Sequence, residues 1–302
     1  MIDHPDPPAA VPGPPPREPV QRWRLILARA ALDPDLAGRS QQAAWEAALA
    51  ASGLPVAGLD GPRGRPRLAA AAPLGATIPG EAELLDVWLT ERLPRWRVRD
   101  ALLATLPADH VLVDVYDVWL GEAPLPGRVS ASVYRAVLEA VVDAAAVRLA
   151  AAALLAEPAL PRERRKGETT VAYDLRPFIM AIDVEDAIVS HEGVARTGSD
   201  AAFVPRNGVV EGERGAITVR MTLRHDPERG VGRPDELLAA LSERAGVPLV
   251  ARSLVRERLV LATAPAPEQP PARARGPRPR PGGEGPRPAG GGPGPRVTMD
   301  RG

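Results

Sequence analysis

The chain has 302 residues, zero formal net charge and no cysteine. This length is enough for two domains of ordinary size. Without cysteine the chain cannot form a disulfide, an iron–sulfur cluster, a cysteine-built zinc site or a thiol nucleophile. Zero net charge excludes a strong global field that would attract nucleic acid or a membrane. Neither a signal-peptide pattern nor a transmembrane span is found, so we expect a cytoplasmic protein.

Proline and glycine concentrate at the two ends of the chain. Residues 1–19 are proline-rich and lack periodicity, which predicts a disordered leader. Residues 262–302 form an Arg/Pro/Gly-rich tail with seven arginines against three acids, which cannot bury a core. The tail would either add weak RNA affinity or act as a solubilising linker.

The first predicted unit covers residues 20–127. Alternation of polar and apolar residues indicates strands there, and capped periodic segments indicate helices. In chain order the pattern predicts a strand at 22–28, a helix at 40–52, short strands at 55–59 and 67–72, a strand at 83–90, a helix at 95–106, a strand at 110–120 and a connector at 121–127.

The second predicted unit, residues 128–261, repeats this order of elements. The pattern predicts a strand from 131, a helix at 143–156, strands at 169–173 and 177–190, a strand at 216–224, a helix at 234–245 and a strand at 249–261. Both halves follow βαβ logic within an α+β pattern. The expected fold class is α+β, with two tandem ferredoxin-like (βαββαβ-type) units whose sheets are antiparallel.

Several segments together resemble a known family. They are RWRLILAR, GLPVAG, GPRGRPRLAAAAPL, GEAELLDVWL, YDLRPFI and GRPDELLAAL. In this order they are similar to the radical SAM-linked protein family, a domain of unknown function found beside, or fused to, a radical SAM enzyme. The resemblance covers about residues 20–261, and it implies a radical SAM enzyme as the partner.

Two pieces depart from that family. Its members usually carry Ser-His-Leu-Asp before the first helix, where this chain has Ala37-Gly38-Arg39-Ser40. They usually have a loop ending Asn-Pro-His-Pro-Arg, where this chain has residues 63–67, RGRPR. Both family histidines are therefore absent, and the chain is a degenerate copy. If those histidines act chemically or as ligands, this copy has lost that role.

The loop of residues 61–67 is one candidate binding site. Arg63, Arg65 and Arg67 occupy alternate positions, and alternate side chains share one face of an extended backbone. Three guanidinium groups on one face would suit a phosphate-rich ligand such as RNA. The alternative is a solvated turn whose arginines reflect a GC-rich genome.

Asp174 and Arg176, just before Pro177, form the other candidate binding cluster. A carboxylate and a guanidinium at a strand end could act on a ligand together with Asp86. A lone Asp can also be a nucleophile, as in the pseudouridine synthases. The structural interpretation, which we favour, is that Asp174 closes a turn by accepting from backbone N–H groups and that Arg176 pairs with an acid.

Other constellations are not found. Glu83 and Asp86 are three apart on a predicted strand and would face opposite sides, so they are not an acid–base pair. No phosphate-binding or dinucleotide-binding glycine motif is present. The tryptophans are expected in core or edge packing rather than in a stacking platform. No metal or cofactor is expected, because the histidines lie apart, at His4, His110, His191 and His225.

These observations favour a non-catalytic accessory protein that works with a radical SAM enzyme in tRNA or rRNA modification or processing. Two alternatives stay open. One is an RNA-modifying enzyme that uses Asp174 or Asp86. The other is a protein–protein scaffold without a nucleic-acid role, which zero net charge favours.

Overall fold

The computed structural model describes residues 17–32, 40–61, 64–139, 143–186 and 217–262. Over these ranges the chain is an α+β protein with a large, mostly antiparallel sheet and four α-helices. The predicted disordered leader lies almost wholly outside them, as does all of the tail after residue 262. Within the same ranges, no helix is long and apolar enough to cross a membrane.

The first half follows the predicted order of elements. Its elements are β1 (Gln21–Arg29), α1 (Ser40–Ala51), β2 (Leu68–Ala70), β3 (Gly80–Leu89), α2 (Arg95–Leu103) and β4 (His110–Val118). The strands lie in the order β2, β3, β1, β4, and each neighbouring pair is antiparallel.

The prediction of a strand at 55–59 is wrong. That segment forms turns, with a single bridge from Val56 to Leu89. Gly58 has a φ of +91°, a backbone conformation that a β-strand does not contain. Val56 packs in the core of the first half, and Leu59 packs against that core.

The second half runs from β5 to β11. Its elements are β5 (Val129–Leu138), α3 (Ala144–Ala156), β6 (Pro161–Lys166), β7 (Thr169–Asp174), β8 (Ile179–Asp186), β9 (Ile217–Asp226), β10 (Gly230–Val231), α4 (Pro234–Ala245) and β11 (Ala251–Leu261). β8, β9, β5 and β11 lie side by side, while β6 and β7 form a separate hairpin. Sequence analysis missed β6, because its residues PRERRK lack apolar alternation.

The two halves share one sheet of nine strands. The junction is a short parallel contact in which Arg256 of β11 faces Gly80 of β3. Each half contains two helices and at least four strands. Whether the halves are two ferredoxin-like units with a boundary at 127/128 stays a prediction.

Helices cover one face of the sheet in each half. In the first half, Trp45 of α1 and Val98 of α2 pack against Leu25, Val87 and other apolar residues of β1, β3 and β4. In the second half, α3 and α4 pack on the apolar face of β5, β8 and β9. Alternation along β1 and β3 therefore places Arg22, Arg24 and Asp86 on the face turned away from α1 and α2.

On that opposite face Asp86 is fully buried between two arginines. The Nε atoms of Arg22 and Arg24 donate to separate Asp86 oxygens, each at 2.8 Å. Both guanidinium groups are almost fully buried. Burial lowers the pKa of Arg24, but the hydrogen bond and the charge of Asp86 outweigh it and raise the pKa above its usual value.

The same arginines hold the connector between the two halves. Arg22 donates to the backbone carbonyl of Glu122 at 2.6 Å and to that of Ala123 at 3.2 Å. Arg24 pairs with the Glu122 carboxylate at 3.2 Å, and that carboxylate also pairs with Arg128. Leu125, at the start of a short 3-10 turn, is fully buried beneath the connector.

We expect Asp86→Asn to lower the free energy of unfolding by about 3–5 kcal/mol, because two buried guanidinium groups would lose their counter-charge. Chemical denaturation measures this change. The matched control is Asp183→Asn on β8, which removes an exposed carboxylate that bonds no other described residue and should change stability by less than about 0.5 kcal/mol. Equal, small effects of the two substitutions would contradict this assignment.

Candidate nucleic-acid interface

The arginine loop lies beside the end of β3. Arg65 and Arg67 are exposed, while Arg63 lies outside the described residues. The Arg67 N–H donates to the carbonyl of Ala57 at 2.6 Å, and the Arg67 carbonyl accepts from the Trp88 N–H at 3.3 Å. A Cβ at Gly58 would lie 2.4 Å from the Arg65 carbonyl oxygen, so this close approach requires glycine.

Arg67 is held over an aromatic ring. Its guanidinium carbon lies 4.8 Å from the centroid of the buried Trp88, and that of Arg22 lies 4.9 Å from the same ring. Cation–π contact restricts the Arg67 side chain while leaving it exposed to solvent. The side chain is therefore partly ordered before any anion binds.

Asp174 and Arg176 lie in the second half, away from the arginine loop in the sheet order. Asp174 Oδ1 accepts from the backbone N–H of Leu160 at 2.7 Å and of Arg176 at 2.9 Å. Arg176 donates to the carbonyls of Leu155 at 2.7 Å and Glu157 at 3.1 Å, at the C-terminal end of α3. These bonds close a turn and satisfy helix-end carbonyls. Arg176 therefore binds backbone carbonyl groups, whereas the sequence analysis expected it to pair with an acidic side chain.

Glu83 and Asp86 point to opposite sides of β3, as the alternation predicts. Glu83 accepts from Nε of the buried Arg256 at 2.8 Å, while Asp86 bonds Arg22 and Arg24. Both carboxylates are thus engaged by arginines in the interior.

An arginine-rich surface lies on α2 and the residues just before it. Arg92, Arg97 and Arg99 are exposed, and their side chains make no hydrogen bond or ion pair with another described residue. Trp96 is 65% exposed on the first turn of the helix. Arg95 anchors that turn by donating to the carbonyl of Val115 at 2.8 Å.

Carboxylates also lie near this surface. Residues 91–100 contain four arginines against Glu91 and Asp100. Glu91 pairs with Arg17 at 3.5 Å, Asp114 of β4 pairs with Arg95, and Asp117 of β4 lies near Arg92. The surface is therefore distinguished by its three arginines without described partners rather than by a net positive charge.

Trp119 extends the same surface. It follows β4, is 78% exposed, and lines a shallow cavity of about 490 Å³ together with Arg92. Gln21 links the segment before α2 to β4. Its amide N–H groups donate to the Leu93 carbonyl at 3.2 Å and to the Asp117 carboxylate at 3.0 Å. We call Arg92, Trp96, Arg97, Arg99 and Trp119 the arginine–tryptophan surface.

The arginine loop and Trp119 occupy the same end of the sheet. The backbone of Arg67 is hydrogen-bonded to that of Trp88. In the strand pairing, Trp88 is the partner of Arg22 on β1, and Arg22 is the partner of Val118 on β4. Three strand spacings of about 4.8 Å separate β2 from β4, which is roughly 14 Å. The two groups of arginines share this end of the sheet but not one face. Arg67 lies over Trp88 on the face without helices, whereas Arg97 and Arg99 belong to α2 on the opposite face.

Sequence analysis missed the arginine–tryptophan surface. It expected all the tryptophans in core or edge packing, and Trp23, Trp45 and Trp88 are indeed buried, whereas Trp96 and Trp119 are exposed. The available signal was the segment RLPRWRVR at 92–99, whose helix can bury only Val98 and Leu102. A two-residue apolar stripe leaves every other side chain of that helix to solvent.

Two histidines lie in the described ranges, and both are neutral at neutral pH. Burial lowers the pKa of His110, despite the opposing effect of Asp109. Burial and the charge of Arg256 lower the pKa of His225 to about 4, and its Nε2 lies 2.7 Å from the Ser132 hydroxyl. His4 and His191 are not described. In the described part of the chain, no group of three or more His, Cys, Asp or Glu side chains could hold a metal ion.

Comparison with known proteins identifies the family. Residues 39–205 match the model of an uncharacterized protein family conserved in bacteria, DUF2344. The match spans more than half of the chain, so this protein belongs to that family. No curated protein matches the chain.

We expect stability to fall as the pH is lowered from about 6.5 to about 4. Unfolded His225 takes up its proton near its ordinary pKa of 6.5, whereas the folded protein takes it up near 4, so the unfolded state binds more protons in that window. The loss is on the order of 2 kcal/mol, discounted for the partial exposure of the ring. Denaturation at several pH values measures it.

His225→Gln, which keeps a hydrogen-bonding partner for Ser132, should flatten this part of the profile. His110 contributes in the same direction and remains in the variant as an internal reference. Identical pH profiles for the two proteins would contradict the prediction.

Proposed function

We propose that this protein is a non-catalytic RNA-binding accessory protein that works with a radical SAM enzyme. The observation that carries the proposal is the arginine–tryptophan surface. Its three arginines without described partners and its two exposed indole rings lie on α2, just before it and just after β4, at the same end of the sheet as the arginine loop.

The chemistry of this surface suits single-stranded RNA. Exposed indole rings can stack on bases whatever their sequence. Arginines make bidentate contacts with phosphate, and unpaired arginines need not break an ion pair first.

The radical SAM partner rests on the resemblance of residues 20–261 to the radical SAM-linked family. A chain without cysteine cannot ligate the cluster of such an enzyme, so a partner must supply it. The proposed architecture is two ferredoxin-like units. Supporting it, the strands lie in the order β2, β3, β1, β4 in the first half and β8, β9, β5, β11 in the second.

Of the two other functions, the enzyme has less support. An RNA-modifying enzyme would need a free carboxylate, yet Asp86 is fully buried between Arg22 and Arg24, and Asp174 accepts two backbone N–H groups. A protein–protein scaffold would use the same surface, because exposed tryptophan and arginine side chains are also enriched at protein interfaces. RNA binding distinguishes the two functions.

We expect the full chain to bind a fluorescein-labelled single-stranded RNA with an affinity that falls with salt. The triple variant R92A/R97A/R99A should reduce the slope of log K against log salt by about 2, because each lost phosphate contact on a single strand removes roughly 0.7. W96A/W119A should weaken binding by about 1–3 kcal/mol per stacked base and leave the slope nearly unchanged. Fluorescence anisotropy over a salt series separates the two effects.

R65A/R67A measures the share of the arginine loop in the same assay. R258A is the matched control, because Arg258 on β11 is exposed and its side chain bonds no other described residue. Binding lost equally in R258A would indicate nonspecific charge attraction. Absence of RNA binding by the unaltered protein would refute the proposal and favour the scaffold.

The partner is tested separately, by purifying the tagged full chain from its own cells under anaerobic conditions. We expect a co-purifying protein that carries iron and inorganic sulfide. Repeated purification without an iron–sulfur protein would count against a radical SAM partner, whatever the RNA result.

A further inference from the structure

A cavity of about 360 Å³ lies between the start of α1 and the sheet of the first half. Its volume falls within the range of small-molecule sites. Leu27, Leu68, Leu85 and Trp45 supply apolar and aromatic walls, and Arg29 and Gln41 are among the polar side chains. This cavity is not part of the arginine–tryptophan surface.

Arg29 is a buried cation with no carboxylate partner among the described residues. It is 5% exposed. Its terminal nitrogens donate to backbone carbonyls, including that of Gly75 at 2.6 Å, while its Nε has no hydrogen-bond partner. Burial lowers the pKa of Arg29. A buried guanidinium group with an unsatisfied N–H is costly, and an anion in the cavity would accept from that N–H and remove much of the cost.

The charges of Glu83 and Asp109 act to raise the pKa of Arg29 against the larger effect of burial, but neither carboxylate forms an ion pair with its guanidinium group. Glu83 is engaged by Arg256 through a two-point contact. His110 Nε2 accepts from the Trp45 indole N–H at 3.4 Å, and its Nδ1 lies 3.1 Å from Asp109, an arrangement typical of a neutral ring with its proton on Nδ1. Among the described residues, Arg29 therefore has negative charge nearby but no carboxylate bonded to it, and its Nε keeps no hydrogen-bond partner.

A second set of donors lies at the first turn of α1. Gln41 Nε2 is buried and has no hydrogen-bond partner. Gln41 and Gln42 both line the cavity, which places it at the N-terminal end of a 12-residue helix. Backbone N–H groups and the helix dipole favour an anion at that end.

We propose that this cavity binds a small organic oxyanion, a carboxylate or a phosphate monoester attached to a planar apolar body. Arg29 and Gln41 bind the oxyanion beside the start of α1. Trp45 and the leucines pack against the body of the ligand. The site is independent of RNA binding, since it shares no residue with the arginine–tryptophan surface.

The test uses the full chain and four probes in isothermal titration calorimetry at constant ionic strength. The probes are phenyl phosphate, benzoate, inorganic phosphate and benzyl alcohol. We expect phenyl phosphate or benzoate to bind, inorganic phosphate to bind more weakly because it lacks the apolar body, and neutral benzyl alcohol not to bind. The stronger of the first two identifies the oxyanion.

Two variants locate the binding. Arg29→Gln and Gln41→Leu should each weaken binding by about tenfold or more, since each loses a hydrogen bond to a charged group. Gln41→Leu also separates this cavity from a neighbouring one of about 400 Å³ that Arg29 lines as well but Gln41 does not. Arg258→Gln is the charge-matched control and should bind as the unaltered protein does.

Three results would overturn the proposal. They are no binding of either aromatic anion, benzyl alcohol binding as tightly as they do, and unchanged binding in Gln41→Leu. Circular dichroism reports whether Arg29→Gln is folded. If it is not, Gln41→Leu decides alone, because Gln41 is only half-buried and holds no other element.

Discussion

The carboxylate of Asp86 lies between two buried arginines, Arg22 and Arg24. The same two arginines bind the connector, the segment that joins the two halves of the sheet. A carboxylate without exposure requires charge partners and hydrogen bonds for both oxygens, and Arg22 and Arg24 supply them. Their remaining N–H groups bind the carbonyls and the carboxylate of the connector at Glu122 and Ala123. The chain between the two halves is thereby held against the face of the sheet that has no helices.

Arginine takes this structural role repeatedly. Arg256 engages Glu83 and donates to the carbonyls of Pro73 and Ala72. Arg29 holds the same loop at Gly75, and Arg176 binds the carbonyls at the end of α3. A planar group with five donors can satisfy several backbone carbonyls at once, which one lysine cannot do with the same geometry. In a chain with only 3% aromatic residues, such contacts order loops that large side chains would otherwise cover.

The arginines without described partners have a different role. Arg92, Arg97 and Arg99 face solvent beside Trp96, where neither packing nor pairing accounts for them. Arg29 is buried at a cavity, and no carboxylate of a described residue is bonded to it. The proposed RNA surface and the proposed oxyanion cavity thus lie near opposite ends of β1. Their ligands would differ, a polymer at the first and a small molecule at the second.

The sequence by itself determined most of the elements. Local signals such as alternation in β1, the proline at the start of α4 and the glycine after it depend on near neighbours only, and α4 lies at the predicted residues 234–245. The absence of cysteine from the sequence also excluded any cysteine-based site. The charged hairpin strand β6 and the turns at 55–59 were misread, because strand pairing depends on residues far away in the chain.

Only the tertiary structure decided which arginines are structural and which are available. Arg22 and Arg92 are the same residue type, yet one is buried against Asp86 and the other is exposed beside Trp119. For Asp174 the local turn, with the Arg176 N–H as donor, was expected from the sequence, whereas the second donor, the Leu160 N–H, comes from 14 residues away. Burial and partners are long-range properties. A spacing rule can place a side chain on a face, but it cannot say what covers that face.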